Sequence, residues 1–169
     1  IVDQFADLQI LRYQVPGFEN LSLRQKQLLY HLSEAALMGR DILFDQNGRY
    51  NLVIRRTLET VYQYGTVDKS SVDYQAFEVY LKRVWFANGI HHHYGEDKFI
   101  PGFSEAFFDA AVRSVDASLL PLKAGETVDT LLARLKPVIF DPTVMPKRTV
   151  QSGDTDWILA SANNYYGED

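Results

Sequence analysis

The chain has 169 residues, 46% of them hydrophobic and 23% charged, which is enough for one packed domain and too little for two comfortable ones. A net charge of −5, with Lys and Arg scattered along the chain, argues against a nucleic-acid binder, and no apolar run nears the roughly 20 residues that span a bilayer. Without cysteine there is no disulfide and no thiolate chemistry, a composition that fits any compartment.

In chain order, Phe5, Leu8 and Leu11 recur near the helical period and predict a short helix or ordered lead-in, ended by Val15-Pro16-Gly17. Ser22 with Gln25 has the form of a capping box. The stripe Leu28, Leu32, Ala35, Gly39 and Ile42 keeps its phase through the glycine, so one helix is predicted over 22–44. Gly39 is then internal, at a close helix approach. Asp45-Gln46-Asn47-Gly48 reads as a turn.

A second helix is predicted from Asn51 to Tyr64, burying Ile54, Leu58, Val61 and Tyr62, leaving Arg55, Arg56 and Glu59 to water, and closing at Gly65. Ser70 with Asp73 predicts the next cap, before the stripe Phe77, Leu81, Val84 and Trp85. Ser104 caps a largely apolar helix containing Phe107, Phe108, Ala111, Val112 and Val115, and a further helix is expected over 127–135 with Leu131, Leu132 and Leu135 inward. Pro137, Pro142 and Pro146 then interrupt regular structure, Lys147-Arg148 forms a small basic spot, and Trp157-Ile158-Leu159 reads as a short strand or a helical turn. The fold class is mainly α with minor short strands, organised as a single domain or partial domain over 1–169.

The stretch 85–103 joins two predicted helices and holds three of the four histidines. His91, His92 and His93 cannot all face one way: on a helix they fan out, and on a strand His92 points away from the other two. At most two of them can share a metal, so the expected metal site is none and the histidines read as surface or cleft lining. Glu96 and Asp97 are the carboxylates that would complete a His-based set. Lys98, beside both of them and an aromatic pair, reads as an ion-pair hub that closes the loop, with substrate contact second. There is no Gly-x-Ser-x-Gly elbow, no Gly-x-Gly-x-x-Gly and no phosphate loop. The carboxylate pairs Asp154/Asp156 and Glu168/Asp169 lie in polar segments and read as solvated surface.

The segment Tyr94-Gly95-Glu96-Asp97-Lys98-Phe99-Ile100-Pro101, preceded by Val84-Trp85 and Asn88-Gly89, resembles the amino-terminal part of dipeptidyl peptidase III. Tyr30-His31-Leu32-Ser33-Glu34-Ala35-Ala36 and Ser161-Ala162-Asn163-Asn164-Tyr165 extend the resemblance in the right order, closest to bacterial members. The resemblance implies a helical portion of a two-lobed zinc exopeptidase that releases dipeptides from the amino end of peptides. Its partners would be a peptide substrate and the remainder of its own chain, in a monomeric protein, cytoplasmic by family default, although a chain that opens on Ile1 leaves room for a removed leader.

In that family a His-Glu-x-x-Gly-His helix and a later Glu hold the zinc, and the Glu inside the motif is the general base. No such motif occurs in this sequence. The resemblance therefore implies an amino-terminal fragment that is silent alone, with zinc a cofactor of the full-length enzyme only. By position it makes Tyr94 a cleft-lining, substrate-binding residue, with His93, Gly95 and Lys98 as its neighbours. Two other readings stand beside it: a non-catalytic helical interaction domain, and a stand-alone metal site using His91 and His93.

Overall fold

The structure is a computed structural model and describes residues 1–149. Over the described residues it is mainly helical with a small two-stranded sheet, as the sequence predicts. The predicted elements at 157–159, the carboxylate pairs near the end and the matching segment 161–165 lie outside the described residues. The chain divides into two compact units, the first spanning Ile1–Leu43 and the second beginning at Phe44.

The first unit opens with strands β1 (Asp3–Phe5) and β2 (Leu8–Ile10), an antiparallel hairpin pairing Asp3 with Ile10 and Phe5 with Leu8. Of the two expectations for this segment, the short helix is corrected, and the ordered lead-in is a hairpin. Asp3, Phe5, Leu8 and Ile10 are half-buried while Gln4 and Gln9 are exposed, the period-two alternation of a strand, and Ala6 turns the chain with φ 48°. Spacings of three match the helical period, but the turn at Ala6 sets Phe5 opposite Leu8 on the partner strand and leaves Leu11 exposed beyond β2.

Helix α1 (Leu23–Met38) starts at the predicted capping box: Ser22 Oγ accepts from Gln25 N–H at 3.3 Å, and Gln25 Oε1 accepts from Ser22 N–H at 2.9 Å. It ends at Gly39, after which α2 (Arg40–Gln46) begins. Gly39 is therefore a C-cap rather than a mid-helix contact, and a Cβ there would meet only the Ala36 carbonyl of its own helix, at 3.6 Å. The helix expected over 22–44 is thus two helices, and its apolar stripe is not buried: α1 buries none of its side chains, and Leu28, Leu32 and Ile42 are all exposed.

Among the described residues the buried apolar core belongs to the second unit. Helix α3 (Asn51–Tyr64) has its predicted bounds and buries Ile54, Leu58 and Val61, with Gly65 as its C-cap. Arg55 is buried rather than solvated: its guanidinium lies 4.7 Å over the Phe44 ring and its Nε 3.4 Å from Glu59. Helix α4 (Val72–Ala87) is capped by Ser71, which accepts from Tyr74 N–H, one residue beyond the predicted cap, because Ser70 is engaged by Asp68. It buries Phe77, Leu81 and Val84, while Trp85 is partly exposed and donates from Nε1 to Glu59 at 2.8 Å.

Helix α5 (Glu105–Arg113) follows the predicted Ser104 cap. Helix α6 (Val128–Phe140) runs five residues past its expected end and takes Pro137 into its interior. A proline there removes one N–H near the helix end, and the Pro137 carbonyl still accepts from Asp141 N–H at 3.0 Å. Phe77, Phe103, Phe107, Phe108 and Phe140 pack as a set of edge-to-face and tilted rings between α4, α5 and α6, with neighbouring centroids 5.6 to 6.3 Å apart. Through Phe103 this set anchors the end of the loop that leads from α4 into α5. No described helix is long and apolar enough to cross a membrane.

Candidate functional site

The loop between α4 and α5 is fixed at its start by α3. Helix α4 ends at Asn88 in the left-handed conformation, and Gly89 follows with φ 154°. Asn51, the first residue of α3, is buried beneath them, and its Oδ1 accepts from Ile90 N–H at 3.1 Å. A Cβ on Gly89 would lie 2.8 Å from Asn51 Cγ, so only glycine leaves Asn51 in place.

Beyond Ile90 the chain forms a narrow loop that closes on itself. Phe99 N–H donates to Ile90 O at 2.8 Å and His92 N–H to Asp97 O at 2.8 Å. The segment 145–148 lies alongside as a third strand-like piece, with Lys98 N–H donating to Pro146 O and Arg148 N–H to Glu96 O, both at 3.0 Å. Glu96 and Met145 both adopt positive φ, at 61° and 50°, conformations that cost a non-glycine residue free energy and are held here by these cross-bonds.

The polar side chains divide by role. Glu96 pairs with Arg148 at 3.0 Å and Asp97 with Lys147 at 2.5 Å, so the basic spot of the sequence is the electrostatic clasp of the loop. The hydrogen bond from Arg148 is the first cause holding the Glu96 carboxyl below its usual pKa. His91 is 3% exposed, with Nε2 2.8 Å from Met145 O. Burial lowers its pKa, Lys98 and Arg148 act the same way, and the Met145 bond and Glu96 oppose.

Lys98 is a hub, but not of ion pairs with Glu96 and Asp97. It is 8% exposed, and its Nζ donates to the carbonyls of Val138 at 2.8 Å, Val144 at 2.7 Å and Asp141. The ammonium thus caps the carboxyl end of α6, whose last turn carries no basic residue of its own. Burial depresses its pKa, with the Asp141 carboxylate opposing. Held in this way, the ammonium has no free donor geometry for a substrate, which the sequence had kept as its second role.

The structure brings His92, His93, Tyr94 and Gly95 together at the loop tip. His92 and His93 stack with centroids 4.4 Å apart, His93 lies 4.4 Å from Tyr94, and Phe86 of α4 meets the His93 ring edge-on at 4.9 Å. Tyr94 is 86% exposed, an aromatic side chain presented outward from a braced turn. The residues that sequence reasoning missed are Asn51, Met145 and Val138, all distant partners. His92 carried only a weak local signal, the amides of Tyr94 and Gly95 two and three residues ahead of its side chain.

Among the described residues no group of three or more His, Cys, Asp or Glu is placed to hold a metal ion. Together with the absence of a His-Glu-x-x-Gly-His motif, the residues described here do not fit a catalytic zinc. An open cleft of about 490 Å³ between α5 and α6 is lined by Glu105, Ala133, Lys136, Pro137, Phe140 and Asp141. Its Lys136 is shared by Glu105 and Asp109 at 3.7 and 3.5 Å, a surface ion-pair arrangement. No protein-family model matches the chain, and no curated protein matches it.

Proposed function

We propose that the chain is the amino-terminal portion of a dipeptidyl peptidase III-like zinc exopeptidase and supplies part of the wall that holds an extended peptide. The reading rests on the ordered sequence matches around Tyr94 to Pro101. The observation that carries it structurally is Tyr94, exposed at the tip of a turn braced by His92, the Glu96–Arg148 pair and the Asp97–Lys147 pair. An aromatic ring held outward on a rigid loop offers contact area to a peptide backbone at small entropic cost. His93 backs the ring and Gly95 leaves its flank open. Lys98 acts only by positioning, through α6. Zinc, general base and amino-terminus anchors come from residues this chain does not contain.

The test is dipeptide release from dipeptidyl naphthylamides by the full-length gene product. In that protein Tyr94→Ala should raise KM about tenfold with a smaller change in kcat, the loss of one aromatic contact. Absence of dipeptide release, or a Tyr94→Ala variant with unchanged KM, overturns the reading.

A second reading, a helical interaction domain, is favoured by α1 alone, where Leu28, Leu29, Leu32, Leu37 and Met38 are exposed on one helix. It predicts a stable complex with another protein and no peptidase activity in the full-length product.

A further inference from the structure

Three backbone N–H groups converge on residue 92. Those of Tyr94 and Gly95 donate to the His92 Nδ1 at 3.2 and 3.0 Å, and that of Glu96 donates to the His92 carbonyl at 3.0 Å. Backbone amides only donate, so Nδ1 must offer its lone pair and the ring proton sits on Nε2. The neighbouring His91 is held neutral in the same tautomer. Its Nε2–H points to the Met145 carbonyl, and its Nδ1 is buried without a hydrogen-bond partner among the described residues.

We propose that His92 is an acid-sensitive latch on the Tyr94 turn. With the imidazole neutral, Nδ1 ties down the amides of Tyr94 and Gly95 and fixes the exposed tyrosine. A proton taken from solvent onto Nδ1 converts that acceptor into a donor facing two donors, and both hydrogen bonds are lost. The turn then keeps only the Glu96 N–H bond to His92 O and the loop's outer cross-bonds, so Tyr94 gains freedom while the loop base stays closed.

The surroundings offer the protonated ring no ready replacement. Within the loop its ring faces His93 in the stack, Tyr94 at 6.4 Å and Phe99 at 6.1 Å. Asp97 is the nearby carboxylate, with Oδ2 3.4 Å from where a Cβ on Gly95 would stand, and it is already engaged by Lys147. From α4, Arg83 lies 4.9 Å over Phe99. From the 145–148 segment, Lys147 and Arg148 present positive charge, and Arg148 is matched by Glu96. The Lys98 ammonium is occupied by three carbonyls. Turning Nδ1–H onto Asp97 would require the Asp97–Lys147 pair to open, which also loosens the tip.

The inference concerns this chain alone and does not depend on the peptidase reading. It is tested by amide hydrogen exchange of Tyr94 and Gly95 in the 169-residue protein, corrected for intrinsic rates, from about pH 8 to about pH 5. Protection of both amides should fall about fivefold to tenfold, the worth of a net hydrogen bond at each, while the Phe99 amide holds. In His92→Asn the Oδ1 stands where Nδ1 stood and accepts at every pH, so protection should stay flat. Flat protection in the unsubstituted protein, or an equal fall in His92→Asn, overturns the latch. A reading that needs no variant is the His92 nitrogen spectrum: Nδ1 must be the bare nitrogen near neutral pH, and an Nδ1–H tautomer there overturns it equally.

Discussion

Replacing Lys98 with Met keeps the aliphatic stem and removes the ammonium that three carbonyls share. Of those three, the Val138 carbonyl is buried and would be left unsatisfied, at a cost of about 1–3 kcal/mol. The Asp141 and Val144 carbonyls are part-buried and can recover water, so each loses about 0.5–1.5 kcal/mol. Against this, the desolvation of the ammonium is no longer incurred, and the net loss expected is about 3 kcal/mol. That is a large share of a typical domain stability of about 5–15 kcal/mol. The assay is urea denaturation followed by tryptophan fluorescence, with Trp85 on α4 of the second unit as the reporter. The midpoint should drop with the slope unchanged. A loss below about 0.5 kcal/mol would show that desolvation cancels the three bonds, and the account of Lys98 as the cap of α6 would be wrong.

Gly89→Ala forces a Cβ against Asn51 and should cost about 2 kcal/mol or more, with the Ile90 amide losing hydrogen-exchange protection; a neutral substitution would mean that Asn51 does not set the loop. His91 gives a pH dependence. Its native pKa lies below 6.5, so under acid the unfolded chain takes up the proton first. Stability should therefore be independent of His91 above about 6.5 and fall as the pH drops from there toward its lowered native value, and His91→Gln, which keeps a donor for the Met145 carbonyl, should flatten that fall when denaturation midpoints are compared across pH. Lys147→Ala breaks an exposed pair and should change stability by less than about 0.5 kcal/mol, whereas Arg148→Ala, which removes a half-buried partner of Glu96, should cost more.

What was legible in the sequence was local. Ser22 with Gln25 and Ser104 announced helix starts because a cap is made by residues three apart, and Ile54, Leu58 and Val61 announced a buried face because α3 packs on one side only. Gly39 misled because its phase in the stripe says nothing about whether the helix ends there. The apolar stripe of α1 announced a helix but not its exposure, because periodicity reports amphipathic pattern and not the presence of a covering surface. At the site, the importance of the 91–98 stretch was readable from its density of aromatics and histidines. The partners of Lys98 stand 40 or more positions away, so no spacing rule reaches them, and the adjacent Glu96 and Asp97 drew attention as its obvious but incorrect partners.

The most direct measurement is peptide cleavage by the full-length gene product carrying these residues, with products identified by mass. The account predicts that dipeptides leave from the amino end, that a chelator stops the release, that added zinc restores it, and that Tyr94→Ala weakens substrate binding. Release of single residues, cleavage insensitive to chelation, or no cleavage at all would contradict it.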